Sequence, residues 1–169
     1  MHWITKEHIR VGRMGCAWLI KRFVDPAAEF AFLPTSQLHA EAERLGAQLF
    51  HAEGAELARR GDVSSFEVVL EHFGLTTDPA LVLLGRIVNT ADIKQSRYRQ
   101  PEGPGLRAIA DGLVLQYTED YALNEAGGRL YDALYAYCQD MIRRGKPAGA
   151  ATEFTKNTKE HEVNDQSPS

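Results

Sequence analysis

A thiol and guanidinium groups lie close together in the stretch Gly12-Arg13-Met14-Gly15-Cys16-Ala17-Trp18-Leu19-Ile20-Lys21-Arg22-Phe23. The glycines mark a turn that opens a helix, on which Cys16, Leu19, Ile20, Phe23 and Val24 share one face at i, i+3, i+4 spacing. A helix start offers unpaired N–H groups and the positive end of its dipole, which suits an anion. A cysteine placed there beside Arg13 has a thiolate-favouring environment. Cys16 is therefore the candidate nucleophile or redox centre, and Arg13 and Arg22 are candidate ligands of a small oxyanion. The competing reading makes Cys16 a small buried hydrophobe and the arginines a solvated surface. Cys16 and Arg22 also satisfy the C-x5-R spacing of a phosphatase loop. The interval Ala17 to Lys21 has a helical pattern, however, which sends the two side chains to different sides and argues against that chemistry.

Hard-ligand chemistry would need residues from distant segments, because none of the six histidines forms an HxxxH or HxH pair. His51 is the best placed, at the end of a short strand, where α/β sheets gather their sites. Asp92 closes a helix and opposes its dipole, so it invites a cation or a basic partner such as Lys94 or Arg97. Glu56, from a charged loop, could complete an oxygen-rich set with them. His51, Glu56 and Asp92 are thus the candidate metal ligands, with a divalent metal as the open cofactor. There is no GxGxxG, Walker or GxSxG motif, and the two cysteines make no CxxC pair and no disulfide framework.

The elements that must position these groups follow from the patterning. Trp3 to Thr5 reads as a strand, Glu29 to Pro34 as a second and Gln48 to His51 as a third. Between them lie the helix of Cys16 and another capped by Thr35 or Ser36, with Leu38, Ala42 and Leu45 inward and Gly46 at its end. This β-α-β-α-β order predicts an α/β fold with a small three-stranded parallel or mixed sheet. A helical C-terminal half follows. Ser64-Ser65-Phe66-Glu67 is a capping box, Asp78-Pro79 launches a helix over 80–88, and Asn89 to Gly105 is a long polar, basic loop. Leu106 to Tyr117 forms another helix. The last, from about Asp120 to Arg144, carries a seven-residue seam through Leu123, Leu130 and Tyr137 and through Gly127, Leu134 and Met141. Cys138, near that seam, reads as structural. Residues 1–144 are expected to form one domain, and 145–169, poor in large apolar residues, a disordered tail.

A chain of 169 residues that is 44% hydrophobic can bury a sizeable core. Its net charge of −4 argues against a generic nucleic-acid binder. The N-terminus lacks a signal-peptide pattern, no apolar run approaches the roughly 18 residues of a membrane span, and reduced thiols suit the cytoplasm.

Arg13 to Asp25, followed by Ala28-Glu29-Phe30, resembles the opening of the chromate-resistance proteins of the ChrB type, approximately R-I-A-C-P-W-L-I-x-R-F-I-D. Gly61, Phe66-Glu67, Arg86-Ile87-Val88, Ala91-Asp92 and Leu130-Tyr131-Asp132-Ala133-Leu134-Tyr135 continue the match in order, to the C-terminal domain of the longer members. The resemblance implies a cytoplasmic bacterial protein of the chromate stress response, an accessory or sensor that binds a small oxyanion such as chromate. It adds Trp18 and Arg59 to the ligand candidates. The family pattern has a histidine and a cysteine where this chain has Arg59 and Ser64, and aspartates where it has Gly12 and His51. A metal- or thiol-dependent enzyme built on Cys16, His51, Glu56 and Asp92 is the alternative function. Direct nucleic-acid binding by this domain alone and a membrane partner are not expected, and a homodimer is left open.

Overall fold

The computed structural model describes residues 1–145; the expected disordered tail, from 146 onward, lies outside the described residues. Three parallel strands, β1 (His2–Lys6), β2 (Glu29–Leu33) and β3 (Gln48–Leu49), stand in the order β2-β1-β3. Trp3 pairs with Phe30 and Gln48, and Ile4 with Ala31 and Leu49. Central β1 is therefore buried on both faces. Trp3 joins the main core, whereas Ile4 joins a small cluster with Leu38 and Ala42.

That split follows from the connections. Helix α1 (Val11–Leu19) carries the chain from β1 to β2, and α2 (Leu38–Leu45) carries it back past β1 to β3. Right-handed crossovers in opposite directions put the two helices on opposite faces. The chain therefore diverges at the carboxyl ends of β1 and β3, where open α/β sheets take their ligands.

Helix α1 is buried almost all round; only Arg13 among its residues is half-exposed. An apolar stripe on one face was the expectation. The structure instead makes α1 the central helix, with α3 (Ser65–His72), α4 (Pro79–Asp92), α5 (Gly103–Gln116) and α6 (Asp120–Arg143) gathered on it. Beyond Leu19 it widens into a π-helical turn, Ile20–Val24, closed by the Asp25 N–H donating to Ile20 O at 2.8 Å.

Several boundaries move from those expected. Neither Thr35 nor Ser36 caps α2: a 3-10 turn, Thr35–Gln37, precedes it and Gln37 takes the cap position without a side-chain bond. Gly46 does close α2, at φ 60°. The Ser64–Glu67 capping box forms in both directions, and Asp78 caps α4. Helix α4 runs on to Asp92 and α5 starts at Gly103, so the irregular stretch shortens to residues 93–102. On α6 the buried residues are Leu123, Gly127, Tyr131, Tyr135 and Cys138, the stripe of a straight helix crossing its neighbours. The seven-residue seam fails because Tyr137, at 39% exposure, faces away from that stripe.

Candidate functional site

Three elements bring the site together at the carboxyl edge of the sheet: α1 with Arg13 and Cys16, the turn after β3 with His51, and the end of α4 with Asp92. β1 passes through Glu7 to Arg10 into α1, and Asp120 pins that loop by accepting the His8 N–H at 2.8 Å and the Ile9 N–H at 2.9 Å. Tyr131, fully buried on α6, donates its hydroxyl to Val11 O at 2.6 Å. Both clamps belong to α6, which thereby fixes the start of α1. β3 ends in Phe50, after which His51 takes φ 46°, a left-handed conformation that costs a non-glycine residue about 1–2 kcal/mol. Its N–H donates to Leu57 O at 2.8 Å, which holds the turn. Asp92 arrives as the last residue of α4.

Gly12 is the point where these elements meet. A Cβ on it would overlap the Asp92 carboxylate and the His51 ring, so only glycine lets both lie against the first turn of α1. One turn on, Cys16 Sγ lies 3.8 Å from His51 Nδ1. Arg13 completes the group, and its Nε is buried with no hydrogen-bond partner. A buried guanidinium N–H without an acceptor is uncommon and costs free energy until it finds one.

Burial governs the charge states. It pushes the Cys16 thiol well above its ordinary range; Asp92 reinforces the shift and Arg13 opposes it. The sequence placed Cys16 at a helix start with a thiolate-favouring environment. The structure corrects both points: α1 begins at Val11, Cys16 sits in the second turn, and desolvation with Asp92 outweighs Arg13. Burial also drives the His51 imidazole down to about 3, with the Arg13 and Arg59 cations adding to the effect, so it is neutral. Asp92 is raised by burial against the pull of Arg13, Arg107 and Arg59. Arg13 is lowered by burial, against Asp92, Cys16 and Asp120.

The other candidates lie elsewhere. Glu56 is exposed and pairs with His72 at 3.6 Å, so it does not join His51 and Asp92. Among the described residues no group of three His, Cys, Asp or Glu side chains is placed to hold a metal ion. The residues present therefore do not form the expected divalent-metal site. Trp18 donates its indole N–H to Asp132 Oδ1 at 2.9 Å, and Arg22 lies 3.6 Å from the same oxygen. Both line a groove of about 550 Å3 against α6, apart from Cys16 and His51. Arg59 is exposed, with Nε donating to Gly61 O at 2.8 Å, but its charge reaches His51 and Asp92. Sequence reasoning missed Gly12 as a contact point, Tyr131 and Asp120 as clamps, and Arg107 as a charge near Asp92. Tyr131 stood inside the Leu130 to Tyr135 motif; the others gave no local signal.

A cysteine–histidine contact and unpaired guanidinium at the switch point of a three-stranded parallel sheet, roofed by helices, define an α/β domain with a polar site on its carboxyl edge. The chain belongs to the family described as ChrB, C-terminal domain, whose model matches residues 3–138. It is 36% identical over 142 residues to Protein ChrB of Cupriavidus metallidurans, a match that covers 84% of this chain and 42% of that relative. The chain thus spans less than half the length of the curated relative it matches. No solved structure matches it. No helix among the described residues is long and apolar enough to cross a membrane.

Proposed function

We propose that this domain serves in chromate resistance by binding a tetrahedral oxyanion, chromate foremost, at the start of α1. One observation carries the reading: the buried Arg13 Nε has no acceptor. An oxyanion would supply one, and charge-assisted bonds from a guanidinium to such an oxygen are among the stronger hydrogen bonds. The first turn of α1 adds backbone N–H groups, and Arg59 adds a cation at the rim. Family membership supports chromate as the anion, through the relative's similarity and the resistance role the family resemblance implies.

His51 stays neutral here, so its Nδ1 either accepts the Cys16 S–H or donates to that sulfur, depending on tautomer. The buried thiol keeps its proton, which makes it a poor nucleophile. That, with Glu56 removed from the cluster, leaves the metal- or thiol-dependent enzyme with less support.

Titration calorimetry with chromate and with sulfate, at low salt, tests the reading. Saturable chromate binding that Arg13→Ala weakens at least about tenfold is the expected outcome. Equal binding by the wild-type chain and Arg13→Ala, or none by either, would overturn it.

A further inference from the structure

Strand β2 is an edge of the sheet: it pairs with β1 on one side, and among the described residues no other element runs along its outer side. In a parallel ladder, alternate residues turn their N–H and C=O to the neighbouring strand. The Glu29 N–H donates to Met1 O at 3.0 Å and the Leu33 carbonyl accepts the Glu7 N–H at 2.9 Å, so Glu29, Ala31 and Leu33 face β1. Ala28, Phe30, Phe32 and Pro34 therefore turn their backbone outward. Two of these are already closed. The Ala28 N–H donates to Asp25 O at 2.9 Å, and its carbonyl accepts from Lys21 Nζ at 2.9 Å. Pro34 has no N–H, and its carbonyl accepts the Gln37 N–H at 2.9 Å. Phe30 and Phe32 keep two donors and two acceptors without a partner among the described residues. Natural proteins blunt such edges with lysine, proline or a bulge, and Glu29–Leu33 contains none of these.

The symmetry of the edge selects its occupant. The open residues flank Ala31, and the closed residues Ala28 and Pro34 flank them in turn. Reversing the strand about Ala31 lays Phe30 opposite Phe32 of a second copy, and each such pair can exchange both N–H···O bonds. Every free donor and acceptor of both edges is then used. Ala31 meets Ala31 at the two-fold axis, and Glu29, the one charged residue of the strand, meets Leu33 rather than its own equivalent. The side chains agree. Phe30 and Phe32 stand on the α1 face of the sheet, where Phe30 and Tyr121 line the groove of about 550 Å3 beside Trp18. Tyr121 is 62% exposed and meets the Phe32 ring edge-on, with centroids 5.1 Å apart. Phe30 of a second copy, set opposite Phe32, covers this aromatic face.

We propose that two copies of this chain join edge to edge through β2, antiparallel about Ala31, into one six-stranded sheet. The interface is separate from the oxyanion cluster and does not rest on it.

Sedimentation equilibrium of the full chain over a wide concentration range tests the assignment, with amide hydrogen exchange followed on the same samples. The mass should rise to twice the 18.8 kDa of one chain, and the Phe30 and Phe32 amides should become protected over the same range. Phe30→Pro removes an outward N–H without breaking a bond to β1, and should sediment as a single chain. Across a non-hydrogen-bonded pair the Cα atoms stand about 4.5 Å apart, within reach of a disulfide. Ala31→Cys should therefore cross-link two chains on air oxidation, whereas Leu33→Cys, set opposite Glu29, should not. The native Cys16 and Cys138 are buried and do not compete. The proposal is overturned by a single-chain mass at every concentration, by a dimer whose Phe30 and Phe32 amides exchange freely, or by Leu33→Cys cross-linking as readily as Ala31→Cys. Protection of those amides in a monomer would assign the edge to another segment and overturns it too. Should Phe30→Pro fail to fold, the exchange and the cross-linking pattern decide.

Discussion

The His51 imidazole titrates at about 3 because it is buried beside Arg13 and Arg59, whereas in the unfolded chain it titrates near its ordinary 6.5. Between those values the unfolded chain binds the extra proton. This contribution to stability is therefore complete above about pH 6.5 and is lost as the pH falls towards 3. At pH 5 the loss is about 2 kcal/mol, and His51→Asn, which tolerates the left-handed backbone, should remove it. Denaturant unfolding at pH 5 and 7.5 checks this; an equal pH response in the two proteins contradicts it. Asp92 gives a second prediction at this scale. Its carboxylate stands beside Arg13, so Asp92→Asn should strengthen sulfate and chromate binding severalfold, whereas a metal-dependent enzyme would lose activity. Cys16, Arg13, His51 and Asp92 stand out in the chain by type and by their place in the expected elements, and the fold brings His51 and Asp92 against the first turn of α1. Their charge states are not legible in the chain, because those depend on burial that only the assembled fold provides. Glu56 was misplaced for a related reason: spacing in a loop does not say which side of it turns inward.

Among the elements, α1 and α6 set the geometry. A Cβ at Gly15 would meet the Tyr131 ring at 2.8 Å, and one at Gly127 would meet Met14 Sδ at 2.7 Å. The glycines on α1 are therefore packing surfaces, not only the turn signals their sequence context suggested. Gly15→Ala should destabilise by about 1–3 kcal/mol, although alanine is the better helix former by about 1 kcal/mol. Loss of the Tyr131 contact to Val11 O should loosen the start of α1 with it. A second junction is Glu67. Its carboxylate accepts the Ser64 N–H and hydroxyl at 2.8 Å, Asn89 Nδ2 at 2.6 Å and Arg97 Nη2 at 2.7 Å. The capping box was legible from Ser64 and Glu67 alone. The link to α4 and to the following loop was not, since it needs Asn89 to be in a helix that extends beyond Val88. Glu67→Ala strands buried donors on Ser64 and Asn89, and a loss of about 3 kcal/mol or more is expected in denaturant unfolding. A loss below 1 kcal/mol would show that the junction contributes little.

At the scale of the molecule, the β-α-β-α-β order points to a small parallel or mixed sheet, and the structure makes both pairings parallel, as right-handed crossovers over short connections favour. The same order places the site, since the chain parts at the carboxyl ends of β1 and β3. How the C-terminal helices roof that edge was not legible. Their amphipathic stripes named buried faces but not partners, and a straight-helix stripe on α6 was read as a seven-residue seam. An oxyanion bound as proposed gives the buried, unpartnered Arg13 Nε–H its acceptor. The most direct measurement follows the 15N-resolved Nε–H resonance of Arg13, assigned through its loss in Arg13→Lys, during a chromate titration of the intact chain. A saturable downfield shift of that proton, at the same concentrations that shift the amides of Val11 to Arg13, is the predicted result. An unmoved Arg13 Nε–H while resonances elsewhere saturate would contradict it.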